Sequence, residues 1–469
     1  MCKVSIIVPT YNVAPYIAEC MDSLIDQTLE EIEILCVDAA SDDGTREVLE
    51  AYASKDSRVK ILDDIMHSTG YAKNIGIDAA QGEYIGIVES DDYVALDTYE
   101  QLYSCAAQYH PDIIKGNYKA FTGNGGERIY ALKAVSLDKG DYNHIIDLQD
   151  EGRYFTWDMY TWTGIYKKSF LEEFHIRHNE SKGASFQDVG FWLQTLAFAK
   201  TAFLLPGYFY HYRRDNPYSS VHQSNKVWEM VREYEFGFQR IAEELTGRHT
   251  AIPKKLLAGI CSGMYRSYAF VYEILSDEYR EEFAGRFCRD MKMAFEKHWI
   301  DRSLFTDEEW SGVQKAAESP EAYENYRREI EDCKKKNQKA LFEIVDKYEK
   351  HIIFGAGSDG SNLQAFLKTN GKENTIAFSD NAKEKWELVL NGIPIIEPKE
   401  IMGRYKNGNK KDIPRSMPLR GGQEQSDTLL VIIASKLYSE EIYRQLLEMG
   451  IQKEHIYLCD VGMTIPQYL

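Results

Sequence analysis

An alternation of strand and helix patterns constrains the fold of this chain more than any other feature, and it occurs twice. Apolar runs at residues 4–8, 33–38, 59–62 and 84–88 alternate with helical spacing at 16–27, 45–54 and 71–81. The same alternation returns at residues 351–354, 361–369 and 375–378, with a further strand pattern at 428–434 and a helix at 439–449. Strands that alternate with helices form parallel sheets covered on both faces. The pattern therefore predicts an α/β fold with two doubly wound units.

The chain between these units follows different patterns. Residues 110–220 are irregular and rich in aromatic side chains, and residues 227–350 are charged and helical. An amphipathic stretch at 231–245 and a Lys/Glu-rich connecting segment at 323–350 both predict helices. A polar loop from Gly403 to Ser426 is expected to lack fixed structure.

Composition excludes several classes of protein. The 469 residues are 44% hydrophobic, enough for ordinary cores, and contain no run of ~18 apolar residues and no secretion-signal pattern. We therefore expect a cytoplasmic protein with no membrane anchor of its own. The eight cysteines include no Cys-x-x-Cys pair, which favours reduced thiols. A net charge of −19 argues against nucleic-acid binding, and an anionic substrate would need a local cation.

An acidic run, Glu89-Ser90-Asp91-Asp92, directly follows the apolar segment at residues 84–88. Clustered carboxylates repel one another unless a cation lies between them or water screens them, so the run alone fits a divalent metal site or a solvated turn. In parallel sheets, ligands bind beyond the carboxyl ends of the strands. Thr10 and Asp38 also follow strand patterns. Polar groups converging on one sheet edge favour the metal site.

Several motifs, in order, resemble the signatures of glycosyltransferase family 2, which has the GT-A fold. The motifs are Ser5-Ile6-Ile7-Val8-Pro9-Thr10-Tyr11-Asn12, Val37-Asp38 with Ser41 and Asp43, Ala72-Lys73-Asn74 with Gly76, Gly82-Glu83-Tyr84-Ile85 and Ser90-Asp91-Asp92. The resemblance continues through Trp162 to Leu171, Ser185 to Val189, and Tyr212-Arg213-Arg214. It covers roughly residues 1–225 and is closest in kind to bacterial enzymes that build surface polysaccharide.

The resemblance implies a GT-A domain over residues 1–225, followed by a helical region and linker over 226–348 and a Rossmann-like domain over 349–469. It implies a metal-dependent inverting glycosyltransferase of hexosyl or N-acetylhexosaminyl type. The donor would be a nucleotide-diphosphate sugar, by default a UDP-sugar, and the acceptor a hydroxyl of a saccharide or lipid-linked molecule in capsule, lipopolysaccharide or cell-wall synthesis. Such chemistry would take place at the inner face of the plasma membrane. Peripheral membrane contact and a homo-oligomer remain open.

The resemblance also assigns roles to residues. Asp188 would be the general base, and Asp91, with Asp92 as a further ligand or an acceptor-side carboxylate, would hold Mn²⁺ or Mg²⁺. Glu89 takes the place of the first acid of the family's Asp-x-Asp motif. The donor contacts would be Pro9, Thr10, Asn12, Asp38, Lys73, Asn74, Glu89, Ser90, Asp91 and Arg213.

Some positions depart from the family pattern. Ala39 stands where a second acid is common, Lys73 where arginine is common, and Gln187 where glutamate is common. Ala39 weakens the assignment of uridine. Together with Glu89, Ala39 and Gln187 also motivate an alternative, a catalytically inactive nucleotide-sugar-binding or scaffold protein. For His211 and Arg214, contact with metal or diphosphate and a packing or surface role both remain open.

A second motif, Gly355-x-Gly357-x-x-Gly360, follows a strand pattern and precedes a helix, and Asp380 lies 23 residues beyond Gly357. This spacing is typical of a nucleotide-binding fingerprint with a ribose-binding acid. The segment resembles the nucleotide-sugar-binding Rossmann-like domains appended to bacterial sugar-modifying enzymes. Three interpretations remain: a structural or assembly module, a nucleotide-sugar sensor or delivery site, and a second catalytic domain that would make the enzyme bifunctional.

Overall fold

The chain divides into two compact units in the computed structural model, which describes residues 2–123, 125, 128–149, 152–217, 227–408, 426–435 and 438–465. One unit contains Met1–Lys119 and Ala134–Tyr326, and the other contains Ala120–Lys133 and Arg327–Leu469. The strands up to residue 213 are β1 (Val4–Thr10), β2 (Ile32–Asp38), β3 (Val59–Asp63), β4 (Tyr84–Ile87), β5 (Tyr93–Val94), β6 (Ile113–Thr122), β7 (Ile129–Lys133), β8 (Ile145–Asp147), β9 (Gly164–Lys167) and β10 (Thr201–Arg213). The helices up to residue 345 are α1 (Ile17–Ile25), α2 (Thr45–Lys55), α3 (Thr69–Ala79), α4 (Thr98–Tyr109), α5 (Lys168–Glu173), α6 (Gln187–Phe198), α7 (Val227–Gly247), α8 (Lys254–Ile274), α9 (Asp277–Glu296), α10 (Asp307–Glu318) and α11 (Pro320–Val345).

The first unit is built on a sheet of order β3-β2-β1-β4-β9-β6-β10-β5, with β8 beside β10. Strands β1 to β4 pair in parallel, as the alternating pattern predicts. All seven residues of β1 and of β2 are buried, which is typical of parallel strands covered on both faces. The register places Thr10 opposite Asp38, so the carboxyl ends of these two strands meet at one edge. The predicted α/β class is confirmed.

The other half of this sheet is antiparallel. Strand β9 pairs antiparallel with both β4 and β6, and β10 pairs antiparallel with β5. The sequence gives no regular period here because single-turn helices at Gly152–Thr156 and Thr161–Thr163 interrupt the strands. The antiparallel half brings the aromatic strand β10 next to the acidic run that follows β4, since Tyr210 pairs with Val94 and His211 with Tyr93.

Helices α7 to α10 belong to the same compact unit as the sheet. Phe191 of α6, Tyr234 of α7, Tyr268 of α8 and Phe287 of α9 are buried in one continuous hydrophobic core. This helical stretch supports α6 from behind. The structure therefore ties the position of α6 to a part of the chain beyond the family motifs.

The second unit contains β11 (Tyr348–Phe354), α12 (Ser358–Thr369), β12 (Thr375–Ser379), β13 (Val389–Leu390), β14 (Ile393–Ile396), α13 (Pro398–Gly408), β15 (Ser426–Ile433), α14 (Ser439–Glu448) and β16 (Ile456–Leu458). Its strand order is β13-β14-β12-β11-β15-β16, and the pairs from β14 to β16 are parallel, as predicted. The loop predicted from Gly403 to Ser426 needs correction, because residues 403–408 complete α13. Residues 409–425 lie outside the described part of the chain.

Residues 120–133 complete the second unit, although they are far from it in sequence. The side chain of Asn391 donates to Tyr130 O and accepts from Tyr130 N, both at 2.8 Å. Leu132 N donates to Ser361 Oγ, and Ser358 Oγ donates to Leu132 O, so both polar backbone groups of Leu132 bond to α12. Ser358 and Ser361 on α12 and Asn391 next to β13 thus form hydrogen bonds with the backbone of β7, like those that a neighbouring strand forms.

No helix within the described residues is long and apolar enough to cross a membrane.

Candidate active site

Lys73 joins two of the predicted acidic residues. It lies on α3, which begins after Ser68, whose hydroxyl accepts a hydrogen bond from Tyr71 N. The Lys73 side chain is only 3% exposed, and its Nζ lies 2.8 Å from Glu89 Oε1 and 2.8 Å from Asp188 Oδ1. Burial alone would lower the pKa of Lys73, but the two carboxylates outweigh it and raise this pKa, so the ammonium stays charged. Three predicted site residues therefore meet at one buried cation.

Asp188 lies in the first turn of α6 and faces Lys73. Its Oδ1 accepts hydrogen bonds from Lys73 Nζ at 2.8 Å and from the Thr161 hydroxyl at 2.9 Å. The side chain is 18% exposed, so it remains accessible to a small group. Burial would raise the pKa of Asp188, but the Lys73 ammonium overcomes burial and holds this pKa below its usual range. Asp188 is therefore ionised at neutral pH, as a general base must be.

A loop between α5 and α6 is anchored to α3 by Asn74. The Asn74 side chain donates to His178 O and accepts from His178 N, both at 3.0 Å. The carbonyl of Asn179 passes so close to Gly70 that a β-carbon there would lie 1.8 Å from it. Beyond this loop, Phe186 adopts a left-handed conformation with φ of 60° as the residue before α6. The anchored loop and this turn set the direction in which the side chain of Asp188 extends from α6.

The three acids of the run after β4 have different environments. Burial raises the pKa of all three, most strongly for Asp92. Asp92 is 1% exposed, with Oδ2 accepting from the Tyr210 hydroxyl and Oδ1 from Arg213 N, both at 2.7 Å. Asp91 is partly exposed, and its Oδ2 accepts from Asn216 Nδ2 at 2.7 Å. Asp91 is thus the more accessible of the two predicted metal ligands. Within the described residues, no group of three or more His, Cys, Asp and Glu side chains could hold a metal ion.

Arg213 stabilises the acidic turn from inside the protein. Its Nε donates to Asp91 O at 3.0 Å, its Nη2 lies 2.8 Å from Glu19 Oε2, and its guanidinium stacks over the Tyr16 ring. The side chain is 3% exposed. The two other residues of uncertain role pack against aromatic rings, His211 on Tyr93 and Arg214 over Tyr212. Contact between Arg213 and the sugar donor stays a prediction, because the partners observed for Arg213 are Asp91, Glu19 and Tyr16 of the protein itself.

The edge formed by β1 and β2 is held by reciprocal contacts. Asn12 Nδ2 donates to Asp42 Oδ1, and Asp42 N donates to Asn12 Oδ1. Asp38 is 1% exposed and accepts from the Ser41 hydroxyl at 2.6 Å and from Arg46 Nη1 at 3.3 Å. The remaining predicted donor residues are buried: Pro9 and Thr10 at the end of β1, Asn74 in the middle of α3, and Ser90 within the acidic run. Thr10 and Asp38 meet at one edge, and Asn12 and Asp38 are themselves engaged in holding that edge together.

Sequence reasoning missed four site residues. Thr161, Tyr210 and Asn216 each bond a predicted acid, and their positions depend on the antiparallel half of the sheet, which has no readable period. Tyr11 lies in the first family motif, Ser5 to Asn12, and the resemblance assigned it no role. It is 56% exposed directly after β1, and its ring meets His67 edge-on at 5.6 Å. The available signal was an aromatic residue between the polar residues Thr10 and Asn12, directly after the first strand pattern.

The glycine-rich motif of the second unit forms the turn between β11 and α12, at which α12 begins. Gly355 has a φ of +115°, and a β-carbon at Gly360 would lie 1.7 Å from Gly355 O, so both positions require glycine. Asp380 accepts from Ala356 N and Lys385 Nζ on Oδ2 and from Ala382 N on Oδ1. The acid predicted to bind ribose thus tethers the motif to the next strand. Nucleotide binding by Gly355, Gly357, Gly360 and Asp380 stays a prediction.

Comparisons with known proteins agree with the predicted fold and family. Residues 5–182 match the family model described as Glycosyl transferase family 2. The uncharacterized glycosyltransferase EpsJ of Bacillus subtilis is 35% identical over 221 residues, which are 46% of this chain and 62% of EpsJ. The poly(ribitol-phosphate) beta-glucosyltransferase of Bacillus spizizenii is 32% identical over 225 residues, covering 47% of this chain and 34% of that enzyme.

A solved structure has the same fold. The crystal structure of S. aureus TarS 1-349 aligns with a TM-score of 0.52 at 20% identity, covering 70% of this chain and 91% of that one. The predicted resemblance is therefore confirmed: residues 5–182 match glycosyltransferase family 2, and the chain shares its α/β fold with TarS. The chain spans 62% of EpsJ and 60% of EpsH, a putative glycosyltransferase of the same bacterium, so it matches only part of these relatives.

Proposed function

We propose that the protein transfers a glycosyl group from a nucleotide-diphosphate sugar to an acceptor hydroxyl, with inversion at the anomeric carbon. The observation that carries the proposal is the contact between Asp188, which lies just beyond residues 5–182, and Lys73, which lies within this segment that matches family 2. Asp188 is partly exposed and ionised, and both of its hydrogen bonds to Lys73 and Thr161 fall on Oδ1. Oδ2 is then the oxygen that takes a proton from the acceptor.

In the proposed reaction, the acceptor oxygen attacks the anomeric carbon while Asp188 Oδ2 removes its proton. The bond between this carbon and the diphosphate breaks, and its electron pair leaves with the diphosphate. Lys73 keeps Asp188 ionised and fixes its orientation, because the ammonium binds Oδ1 at 2.8 Å. Thr161 restricts rotation of the same carboxylate through its 2.9 Å hydrogen bond.

Asp91 fits a divalent cation better than Asp92 does. Both oxygens of Asp92 are bonded inside the protein, whereas Asp91 is partly exposed with one oxygen bonded to Asn216. One or two carboxylates together with substrate phosphates are a usual ligand set for Mg²⁺. Asp91 would therefore hold Mg²⁺ or Mn²⁺, and the bound ion would supply positive charge for the departing diphosphate. Asp92 would hold the acidic turn in place through its hydrogen bonds with Tyr210 and Arg213.

A UDP-sugar is our default donor. TarS, which shares the fold, has been crystallised with UDP and with UDP-GlcNAc. In this chain the exposed ring of Tyr11 directly follows Thr10, and Thr10 pairs with Asp38. An aromatic face and a carboxylate therefore lie at the edge of the sheet where we expect the base of the nucleotide to bind. Two relatives are named as a beta-glucosyltransferase and a beta-N-acetylglucosaminyltransferase of poly(ribitol-phosphate), a polymer that carries hydroxyl groups. We accordingly propose a saccharide or lipid-linked acceptor at the inner face of the plasma membrane.

A ligand screen tests this proposal. The melting temperature of the whole chain is measured with uridine, guanosine, cytidine and thymidine diphosphates and their sugars, with and without Mn²⁺. We expect a metal-dependent rise with at least one nucleotide sugar and slow release of nucleoside diphosphate from it. Saturable binding without release, even with candidate glycan acceptors, would instead indicate the inactive binding protein. No shift with any nucleotide would contradict both.

A further inference from the structure

Glu233 is a fully buried acid that the proposed mechanism does not use. It lies on α7 with 0% exposure. Its Oε1 accepts from Asn179 Nδ2 at 2.8 Å, and its Oε2 accepts from Gly190 N at 3.3 Å. Uncompensated acids are rarely buried this completely, so the two contacts deserve a functional explanation.

The two partners of Glu233 lie in the two segments that hold Asp188. Asn179 belongs to the loop that Asn74 and Gly70 anchor on α3, the helix of Lys73. Gly190 lies two residues after Asp188, in the first turn of α6. The carboxyl group of Glu233 therefore links the loop anchored on the helix of Lys73 to the turn that carries Asp188.

The contact between α6 and α7 is built for this carboxyl group. A β-carbon at Gly190 would lie 2.7 Å from Glu233 Oε2, and one at Gly237 would lie 3.3 Å from Gly190 Cα. Two helices that approach through glycines leave no room for a longer or differently placed side chain. A small change at Glu233 would thus be transmitted to the backbone of the turn that carries Asp188.

We propose that Glu233 is a positioning residue for Asp188, whose carboxyl group holds the first turn of α6 and the anchored loop in place by accepting from Gly190 N and Asn179 Nδ2. This inference rests on the proposed role of Asp188 as general base. Glu233 does not touch substrate in this account. It acts through Asn179 and Gly190.

The surroundings of Glu233 disfavour its charge. Burial raises the pKa of Glu233 to about 8, and the neighbouring carboxylates of Asp188 on α6 and Glu229 on α7 push it in the same direction. The hydrogen bonds from Asn179 and Gly190 act against this rise. Helix α8 also packs on α7, and its Arg266 bonds Glu309.

The sign of the pH effect follows from this raised pKa. A carboxyl group whose folded pKa lies above its unfolded value of about 4.5 is protonated at neutral pH and ionises as pH rises through about 8. The ionised form would place a second buried negative charge near Asp188. Ionisation above about pH 8 would therefore weaken the hold of Glu233 on the turn that carries Asp188.

The test compares Glu233→Gln and Glu233→Ala with the wild type, using Glu235→Gln as the matched control, because Glu235 lies on the same helix and is exposed. Turnover is measured between pH 6 and 9.5 with the nucleotide sugar identified by the melting screen. Hydrogen exchange of peptides covering residues 177–192 is measured at pH 7 and 9. The exchange data do not depend on turnover, so they decide the inference even if the proposed transferase activity fails.

We expect Glu233→Gln to keep kcat within about threefold at pH 7, and Glu233→Ala to lose at least tenfold in kcat with little change in donor KM. The wild type should lose activity and exchange protection above about pH 8, whereas Glu233→Gln should retain both. Exchange protection of residues 177–192 that is the same in Glu233→Ala and in the wild type would overturn the inference, as would an alkaline loss of protection that persists in Glu233→Gln. If Glu233→Ala does not fold, the Glu233→Gln profiles decide alone. A wild type without turnover but with the expected exchange pattern would refute the transferase proposal and not the positioning role.

Discussion

Lys73 Nζ lies 2.8 Å from Asp188 Oδ1, across 115 residues of sequence. The bond joins α3 to the first turn of α6, and the same ammonium binds Glu89 at the end of the parallel half of the sheet. Lys73 therefore fixes the position of the predicted general base, Asp188, relative to Glu89, a residue predicted to contact the donor. The family pattern places arginine at this position, and here the shorter ammonium contacts one oxygen of each acid.

Replacing Lys73 with methionine should destabilise the first unit. The change leaves two buried carboxylates without their cation, and breaking a buried pair in this way typically costs ~3–5 kcal/mol. Urea unfolding followed by tryptophan fluorescence measures it, because six of the seven tryptophans lie in the first unit. The deficit should shrink as pH falls, since the unpaired acids take up protons more readily in the variant. Lys73→Arg, which keeps the charge, is the control, and a Lys73→Met loss below ~1 kcal/mol would refute the structural role.

Asp91 and Asp92 should separate function from stability. Asp92→Ala removes two internal hydrogen bonds at a site that is 1% exposed, so we expect ~2–4 kcal/mol less unfolding free energy. Asp91→Ala should cost less than ~1 kcal/mol but abolish the effect of Mn²⁺ on donor binding. Isothermal titration with and without Mn²⁺, beside urea unfolding, tests both. The account fails here if Asp92→Ala is as stable as wild type and Asp91→Ala retains full metal dependence.

His178 should make the first unit sensitive to mild acid. Burial lowers the pKa of His178 from about 6.5 to about 3. Because the folded pKa is depressed, the contribution is present above pH 6.5 and is lost as pH falls towards 3. Between pH 7 and 5 this amounts to ~2 kcal/mol of unfolding free energy. His178→Gln should lose less stability over this interval than wild type or the exposed control His144→Gln. Identical pH dependence in all three would contradict the buried neutral state.

Asn391 should hold residues 129–133 in the second unit. Its side chain bonds both backbone groups of Tyr130, and its backbone has a left-handed φ of 54°. Asn391→Ala removes the hydrogen bonds and strains this conformation, whereas Asn391→Gly removes only the bonds. Both variants should accelerate hydrogen exchange at Tyr130, and Asn391→Gly should be the more stable of the two. Unchanged exchange at Tyr130 would show that the side chain does not hold this strand.

The sequence was informative wherever one period governs the fold. The parallel strands, their helices and the second doubly wound unit follow from apolar spacing, because strands buried on both faces are continuous hydrophobic runs. The pairing of the antiparallel strands β6, β9 and β10 did not follow from it, since this pairing depends on contacts far apart in sequence. The addition of residues 120–133 to the second unit was equally invisible, because single side chains such as Asn391 determine it.

The candidate site shows the same division. Motif order identified Glu89, Asp91 and Asp188, and the strand ends predicted that Thr10, Asp38 and the acidic run share one edge. It did not reveal that Lys73 is enclosed between two acids, or that Asp92 lies inside the protein while Asp91 remains accessible. Thr161, Asn216 and Glu233 belong to no motif, and each is placed by tertiary packing. Spacing along the chain identifies which residue types can do the chemistry, whereas burial determines which of them meet substrate.

The most direct test of the central claim is the release of nucleoside diphosphate by Asp188→Asn compared with wild type. The donor is the nucleotide sugar that stabilises the wild type most, with UDP-GlcNAc and UDP-glucose tried first, in the presence of Mn²⁺ and glycan acceptors. Asp78→Asn, an exposed acid on α3, is the matched control. We predict that Asp188→Asn binds the donor with near-normal affinity and turns over at about 1% of the wild-type rate or less, because the base is lost. Turnover close to wild type in Asp188→Asn would contradict the account.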